Sequence, residues 1–393
     1  MIKKIRLQNL LSFSDMELEL RNLNVLIGPN GSGKSNLIEA LSLLQALPAD
    51  IGEPIRRGGG IDEWMRKGTQ TGGQCSIEAS LGEYDPIGAA RIDPRKALEH
   101  ALRYSLHLQG ADGRYSIASE WLKEEPLLYP STFLFDVKDG RGTVLQQSDK
   151  QLVLASARQS VLSEVRGTEE FPEITRLGQQ FAAIRLYREW GSGGRASARA
   201  FQPADQPVDF LEEDATNLAL VLQNTFINSS GDKTLNEEFS RFFERFQRFG
   251  VSIFGNQVLL YMHEQGPGDP ISATRWSDGM IRYLCLLAIL CHPKPPGLIC
   301  IDEPDLGLHP DIMPHLARLI KSASERTQII ITTHSAELVD EFTDESESVV
   351  VCERDFDGAT QMERQDPGQL KEWLEKYTLG DLWRRGEIGG NPF

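Results

Sequence analysis

The sequence lacks a run of apolar residues long enough to cross a bilayer. Its longest apolar run, at residues 284–291 of the 393, is less than half of the roughly 20 residues that a membrane-spanning helix needs. The first residues alternate between charged and apolar side chains, so the continuous apolar core of a signal peptide is also missing. These absences predict a cytoplasmic protein.

Cysteine and positive charge are both in short supply. The five cysteines form no C-x-x-C pair and most of them lie in apolar runs, which favours buried thiols over disulfides or a zinc site. Against 57 acidic residues there are 41 lysines and arginines, and the net charge of −16 makes the surface as a whole repel polyanions. Binding to DNA would therefore need a local basic patch.

Internal repeats and sustained heptads are missing as well, which excludes repeat proteins and long coiled coils. The composition is that of a globular protein, with 40% hydrophobic and 25% charged residues. The length predicts two or three domains, or one large α/β unit with insertions. We divide the chain into an N-terminal lobe with an antiparallel sheet (1–120), a mainly helical insertion (121–250) and a C-terminal lobe of alternating strands and helices (251–393).

The strongest motif is G-P-N-G-S-G-K-S at residues 28–35, which fits the phosphate-binding pattern G-x-x-x-x-G-K-[ST]. An apolar strand pattern precedes it and a helical pattern follows it, the context that this motif requires. Glycines let backbone N–H groups surround phosphate oxygens, and the helix N-terminus adds a positive dipole end. We expect Lys34 to bind the β- and γ-phosphates and the Ser35 hydroxyl to bind Mg²⁺. The predicted nucleotide-binding residues of this motif are Gly28, Pro29, Asn30, Gly31, Ser32, Gly33, Lys34, Ser35 and Asn36.

Two further patterns place polar side chains at the ends of apolar strands. Residues 298–301 are followed by Asp302 and Glu303, and residues 328–332 lead to His334. In a parallel sheet these strand ends share the edge where ligands bind. We expect Asp302 to hold Mg²⁺, and Glu303 to orient or deprotonate the attacking water. A lone histidine is usually structural, but at this edge we expect His334 to polarise the γ-phosphate.

A fourth pattern, Ser277-Asp278-Gly279, precedes the helical run at residues 281–291. A serine and a glycine that open a helix offer exposed N–H groups to a phosphate, so these three residues are predicted to bind nucleotide. The alternative is a plain helix cap, which the position shortly before the acid-bearing strand disfavours.

Together, and in this order, the four patterns resemble the ATP-binding cassette ATPases. The runs I-R-L-Q-N-L-L-S-F at 5–13, D-E-P-D-L-G-L-H-P at 302–310 and T-H-S at 333–335 are similar to the branch that contains RecF, the SMC heads and the OLD-family ATPases. The resemblance covers residues 1–60 and 270–340 well and the middle only loosely. It implies an α/β fold: an ABC-ATPase-type head with a mixed β-sheet core flanked by helices, an antiparallel β subdomain and a helical insertion.

The resemblance also implies a homodimer that sandwiches ATP. Ser277 and Gly279 of one subunit would contact the γ-phosphate held by Lys34 of the other, and Glu303 and His334 would complete the site. The implied activity is hydrolysis of ATP with Mg²⁺, in DNA repair or antiviral defence. A nuclease or another effector protein would be the partner that processes nucleic acid.

The sequence departs from this family in several respects. His309 stands where many cassette proteins carry an aspartate, the glutamine-loop residue is not assigned, and the SMC coiled-coil arms are absent. The chain after His334 is too short for the Toprim nuclease domain of OLD proteins, so we expect an ATPase without a nuclease of its own. The alternatives are a transporter motor subunit and a nucleotide-dependent regulatory scaffold, both without a DNA role.

Two segments of the middle region combine arginines with aromatic residues and are candidate DNA contacts. The first is a glycine-rich loop with its flanks, and it contains Arg185, Arg188, Arg195 and Arg199 with Tyr187, Trp190 and Phe201. The second is predicted to be one helix, with Phe239, Phe242, Phe243, Phe246 and Phe249 on one face and Arg241, Arg245 and Arg248 on another. The alternative is an insertion whose phenylalanines pack into the core, and we favour it for the second segment.

Overall fold

The structure is a computed structural model, and it describes residues 1–68, 73–82, 101–125, 132–146, 149–154, 156–165, 167, 169–188, 197–227 and 232–390. The strands are β1 (Ile2–Leu10), β2 (Phe13–Glu19), β3 (Leu23–Ile27), β4 (Gln74–Leu81), β5 (Ala101–Ala111), β6 (Arg114–Glu125), β7 (Thr132–Lys138), β8 (Arg141–Gln146), β9 (Asp149–Leu154), β10 (Arg185–Tyr187), β11 (Gln202–Pro203), β12 (Phe246–Phe254), β13 (Gln257–Glu264), β14 (Ile271–Ser272), β15 (Leu298–Ile301), β16 (Gln328–Thr332), β17 (Val349–Arg354) and β18 (Thr360–Arg364). The α-helices are α1 (Lys34–Ala46), α2 (Gly52–Arg57), α3 (Ile61–Trp64), α4 (Val161–Glu164), α5 (Pro172–Ala182), α6 (Leu218–Val221), α7 (Asp232–Phe242), α8 (Asp278–Leu290), α9 (Met313–Ser324), α10 (Ala336–Asp340), α11 (Pro367–Leu374) and α12 (Leu379–Arg384). A π-helix spans Leu222–Ile227, and 3₁₀ helices span Ser197–Arg199, Ala273–Arg275, Pro310–Ile312 and Thr343–Ser348.

A six-stranded mixed sheet forms the centre of the fold. Its order is β10-β15-β16-β3-β17-β18, and only β18 runs antiparallel to its neighbour. Alternate residues of β3 face two different cores: Val25 and Ile27 pack with α8 and α9, whereas Leu26 packs with α1. A parallel sheet that is covered on both faces needs such continuous apolar strands. The mixed core flanked by helices confirms the predicted α/β fold class.

An eight-stranded antiparallel sheet lies beside this core, in the order β2-β1-β4-β5-β6-β7-β8-β9. The helical prediction for 121–250 is therefore wrong in its first part, because β6 to β9 extend this sheet as far as Leu154. Two Asp-Gly turns join the strands, at Asp112-Gly113 and Asp139-Gly140, and all four residues have positive φ. Both residues at positive φ give the type I′ turn, which matches the twist of a two-strand hairpin.

The aromatic segment around residue 240 is not one helix. Helix α7 ends at Phe242, and Phe246 and Phe249 belong to β12 of a smaller sheet that also contains β11, β13 and β14. The rings of Phe239, Phe246 and Phe249 pack against one another, with centroids 4.5 to 4.9 Å apart, and all three are buried. The core interpretation of the phenylalanines is confirmed, although the single-helix prediction is wrong.

The buried side chain of Gln328 connects the two large sheets. Its Nε2 donates to the carbonyl oxygens of Ile2 and Arg21, at 2.8 and 3.0 Å, and its Oε1 accepts from the backbone N–H of Ile2. Both ends of the amide are thus satisfied, which removes the cost of burying it.

No helix in the described ranges is long and apolar enough to cross a membrane.

Glu120 is a buried carboxylate in the antiparallel sheet. It accepts hydrogen bonds from the Tyr104 hydroxyl (2.9 Å), the Ser160 hydroxyl (2.6 Å) and the Val161 backbone N–H (2.9 Å). Burial raises the pKa of Glu120 to about 7, because desolvation of the charged form outweighs these hydrogen bonds. The folded state therefore holds a proton at this residue over a pH range in which the unfolded chain has lost it.

We predict that Glu120 makes the protein less stable as the pH rises. The raised pKa means that its contribution is fully present below the ordinary carboxyl pKa of 4.5 and is lost by about pH 7. The loss is on the order of 3 kcal/mol in the free energy of unfolding. Urea unfolding at pH 5 and pH 8 should show this fall in the wild type and a smaller one in Glu120→Gln. An equal fall in both proteins contradicts the prediction.

Candidate nucleotide site

The register of three parallel strands brings the predicted site residues to one edge of the central sheet. Ile301 of β15 lies opposite Ile331 of β16, and Thr332 of β16 lies opposite Leu26 of β3. The segments that follow these strands are the phosphate loop (residues 28–35), the two acids and the histidine. They therefore emerge side by side, although Gly28 and His334 are 306 residues apart in the sequence.

The phosphate loop packs closely against Thr360, and the side chain of Lys34 is hydrogen-bonded to its backbone. Gly33 adopts φ +103° just before α1, and a Cβ atom there would lie 2.1 Å from Thr360 Oγ1. The side chain of Lys34 is buried, and its Nζ donates to the carbonyl oxygens of Gly28 (2.8 Å) and Pro29 (3.0 Å). Burial lowers the pKa of Lys34, while the nearby carboxylates of the site oppose that shift. Because of the close approach of Thr360, only glycine fits at position 33.

A chain of hydrogen bonds supports the same loop from β18. The side chain of Asn36 donates to Ser12 Oγ at 2.7 Å, and Ser12 Oγ lies 2.6 Å from Thr360 Oγ1. Thr360 Oγ1 in turn donates to the carbonyl oxygen of Ser32 at 2.7 Å. Each hydroxyl in this chain both donates and accepts, so the loop backbone is fixed by residues far away in the sequence.

The acids meet the phosphate loop and the histidine at the sheet edge. Ser35 Oγ donates to Asp302 Oδ1 at 3.2 Å, and Thr332 Oγ1 donates to the same oxygen. His334 Nε2 lies 3.6 Å from Glu303 Oε1. Burial and the charge of Lys34 lower the pKa of His334, which favours a neutral imidazole near pH 7.

Glu303 has an unusual backbone conformation. Its φ is +48°, a left-handed geometry that costs a residue with a Cβ roughly 1–2 kcal/mol. Two neighbours hold it there: the Glu303 N–H donates to Thr332 Oγ1 at 3.0 Å, and the Glu303 carbonyl accepts from Arg282 Nη2 at 2.6 Å. Strained backbone of this kind is concentrated at functional sites.

The donor atoms fit a nucleotide with Mg²⁺. The hydroxyl of Ser35 and the carboxylate of Asp302 are hard oxygen ligands, and Mg²⁺ usually takes one or two of these plus phosphate and water. The buried hydroxyl of Ser32, inside the loop, has no hydrogen-bond partner in the structure. The described part of the chain contains no cluster of three or more His, Cys, Asp or Glu side chains that could hold a metal without a phosphate.

The predicted pattern Ser277-Asp278-Gly279 lies at the start of α8. Ser277 caps α8 by accepting from the Met280 N–H at 3.2 Å, and Asp278 accepts from Arg199. A Cβ on Gly279 would lie 3.2 Å from the carbonyl oxygen of Gly307, in the loop that follows Glu303. Ser277 therefore contacts α8, and Gly279 approaches the loop that follows Glu303 rather than the phosphate loop.

Several residues of the site were missed by the sequence interpretation. Thr332 is the last residue of the strand pattern at 328–332, and a polar side chain at the end of a buried strand is the signal that indicates it. Asp305, which accepts from Thr333 Oγ1 at 2.7 Å, lay in the acidic run but had no assigned role. Arg282, and Arg354 whose Nε donates to the carbonyl oxygen of Gly31 at 2.6 Å, are isolated arginines without a motif.

The arginines proposed as DNA contacts are engaged within the chain. Arg188 pairs with Glu39 and Glu213, and Arg199 is buried against Asp278. Arg185 donates to the carbonyl oxygens of Ala182 and Ile184 and lies over the ring of Phe210. These three side chains therefore have partners within the chain, and their contact with DNA stays a prediction. Residues 189–196, with Trp190, Arg195 and the glycine-rich loop, lie outside the described residues.

Two solved structures that are similar to this chain are heads of SMC proteins. The SmcHead bound to the C-winged helix domain of ScpA aligns with a TM-score of 0.58 and 16% identity, over 94% of this chain and 99% of that one. An Smc head domain with an extended coiled coil, bound to the C-terminal domain of ScpA from Pyrococcus furiosus, aligns with a TM-score of 0.54 and 14% identity, over 95% and 98% of the two chains. These likenesses show the fold of an ABC-type ATPase head.

Sequence relatives agree on the activity. Over 370 residues the chain is 23% identical to a protein of Helicobacter pylori named ATP/GTP phosphatase. The alignment covers 92% of this chain and 91% of that protein. A stretch of 44 residues is 48% identical to the DNA double-strand break repair Rad50 ATPase of Methanopyrus kandleri, but this is 11% of this chain and 5% of that protein.

With this phosphate loop the chain is a P-loop ATPase, and its fold is that of ABC-type ATPase heads. Residues 23–340 match the AAA_21 family, described as "AAA domain, putative AbiEii toxin, Type IV TA system". The match spans most of the chain, and the chain belongs to that family.

We predict that the hydroxyl of Thr360 controls nucleotide affinity. Thr360→Val keeps the shape of the side chain but leaves the Ser32 carbonyl without its donor, which should weaken ATP binding about ten-fold, or roughly 1.4 kcal/mol. Calorimetric titration with ATP measures the effect. The matched control is Thr175→Val, which removes a hydroxyl that donates to the Gly167 carbonyl at 3.3 Å and should bind ATP as the wild type does. Equal affinity of Thr360→Val and the wild type contradicts this role.

Proposed function

We propose that the chain is an ATP-gated homodimeric switch that acts with a nucleic-acid-processing partner in antiviral defence or DNA repair. The observation that carries the proposal is the meeting of two pairs at one sheet edge, Ser35 with Asp302 and Glu303 with His334. The first pair is suited to a metal–phosphate complex, and the second to a water molecule beside it. Both pairs belong to segments that follow buried strands, so their geometry is preorganised.

Each site residue has a task in hydrolysis. Lys34 and the loop N–H groups bind the phosphates, and Ser35 and Asp302 hold Mg²⁺, which neutralises charge on the β- and γ-phosphates when it is bound. Glu303 accepts a proton from the attacking water as the new P–O bond forms at the γ-phosphate. The bond between the γ-phosphorus and the β–γ bridging oxygen breaks, and ADP leaves with the electron pair. A neutral His334 donates a hydrogen bond to the γ-phosphate.

The proposed dimer rests on the N-terminus of α8, which we propose as a second anion site beside the phosphate loop. Ser277 and Gly279 open α8, where N–H groups are available to a phosphate, but the contacts described for them do not include the phosphate loop of the same chain. Two chains related by a two-fold axis would use both anion sites twice, in an isologous interface. The γ-phosphate would then gain donors that ADP cannot reach, so ATP would favour the dimer and hydrolysis would release it.

The choice of a partner and a process is supported by the relatives. The SMC heads in the matched structures are bound to pieces of ScpA, a separate protein. The family description names a toxin of a toxin–antitoxin system, and the short match to Rad50 concerns an ATPase of double-strand break repair. These names support an ATPase that acts through another protein. The net charge of −16 also favours nucleic-acid contact through a partner over direct contact.

We predict that two substitutions separate binding from hydrolysis. Lys34→Ala removes the charge that faces the phosphates and should abolish detectable ATP binding. Glu303→Gln keeps the side-chain shape but cannot accept a proton, and should bind ATP while its kcat falls about 10²-fold or more. Phosphate release and ATP titration measure the two effects. Glu325→Gln, the same change at an exposed position, is the control and should match the wild type. Wild-type turnover in Glu303→Gln removes Glu303 from the catalytic role.

We predict that ATP drives dimerisation through Ser277. Glu303→Gln with ATP and Mg²⁺ should be a dimer by light scattering, and a monomer with ADP or without nucleotide. Ser277→Arg adds bulk and charge at the interface, so it should bind ATP but neither dimerise nor hydrolyse it. Ser277→Ala loses the same cap hydrogen bond and the hydroxyl proposed to contact the γ-phosphate but adds no bulk, so it should dimerise more weakly than the wild type and more strongly than Ser277→Arg. Normal ATP hydrolysis by monomeric Ser277→Arg contradicts the composite site.

A further inference from the structure

Residues 379–390 make a second connection between two parts of the nucleotide site, in addition to the sheet edge at which those parts meet. The segment consists of α12 and the six residues after it, and none of the sequence patterns pointed to it. One end packs against α10, the helix that begins two residues after His334. The other end lies against Gly28, the first residue of the phosphate loop.

The contacts with α10 are close and polar. The Gly380 N–H donates to Asp340 Oδ1 at 2.8 Å, and a Cβ on Gly380 would lie 2.3 Å from the carbonyl oxygen of Ala336. Arg384 donates to Glu337 and Asp340 of the same helix, at 3.2 Å each. The N-terminal and C-terminal residues of α10 are therefore both tied to α12, and α10 cannot shift without it.

The contacts with the phosphate loop are made by backbone. A Cβ on Gly390 would lie 3.3 Å from Gly28 Cα and 2.7 Å from Val351 Cγ1, so the chain passes directly against the loop. The Gly390 N–H donates to Glu353, and its carbonyl accepts from Trp383 Nε1 at 2.5 Å. Trp383 is completely buried on α12, and this hydrogen bond links the helix to the point of contact with the loop.

We infer that residues 379–390 are a positioning element that couples the phosphate loop to the helix behind His334. A nucleotide that fixes Gly28 also restrains Gly390, and through Trp383 and α12 it restrains α10. The coupling is reciprocal, so a change in this segment changes the affinity of the loop for phosphate. The inference depends on the proposed binding of ATP by the phosphate loop.

Two glycines of similar backbone conformation give a matched test. Gly390→Ala places a methyl group toward Gly28 and Val351, whereas a Cβ on Gly255, in the turn between β12 and β13, meets nothing within 4 Å. Both glycines have positive φ, +59° and +61°, so both variants carry similar backbone strain. Gly390→Ala should raise the Kd for ATP about five- to ten-fold, and Gly255→Ala, which lies outside the segment, should raise it by less than about two-fold. Equal Kd values in the two variants overturn the inference.

Hydrogen exchange gives a readout that a merely structural role would not change. ATP binding should slow the exchange of the Gly380 and Gly390 amides in the wild type, because these N–H groups donate to Asp340 of α10 and to Glu353 of β17 and so hold the two ends of the segment. It should have no effect in Lys34→Ala. Unchanged exchange at residues 379–390 in a wild-type protein that binds ATP overturns the inference. A wild-type protein that binds no ATP overturns the proposed function instead.

Discussion

The site depends on the register of β16 between β15 and β3. Both faces of these strands are apolar and buried, so the alternation that usually fixes a register is absent. Polar side chains at the two ends of β16 supply it instead. Gln328 bonds to the backbone of Ile2 and Arg21, and Thr332 bonds to Asp302. A slip by one residue would break both ends and would move His334 away from Glu303.

The part of the site that the sequence revealed is the part made by strand ends. Apolar runs followed by polar residues predicted that Asp302, Glu303 and His334 would meet the phosphate loop, and the structure brings them together. Their roles in catalysis stay predictions. The supports were not foreseen, because contacts such as Thr360 with Ser32 join residues far apart in the chain and follow no local spacing. Such contacts are set by tertiary packing alone.

The errors in the fold have local physical reasons. The sequence analysis predicts helices after residue 120, where the structure has strands, although the Asp139-Gly140 pair is a hairpin signal of the kind that needs two residues at positive φ. Phenylalanines around residue 240 kept a helical spacing across a turn, where the Phe246 N–H donates to the Phe243 carbonyl and the chain enters β12. Apolar spacing indicates which side chains are buried more reliably than which element carries them.

The left-handed backbone of Glu303 has a consequence for how the chain tolerates change. Glycine would adopt a φ of +48° without strain, whereas glutamate costs roughly 1–2 kcal/mol there. The residue that best suits folding at this position is therefore not the residue that the proposed chemistry needs. Selection for heat resistance alone would favour glycine at position 303, which lacks the carboxylate of the proposed chemistry. A thermostable form that keeps Glu303 must gain its stability at other positions. Position 303 is thus a place where stability and the proposed activity oppose each other.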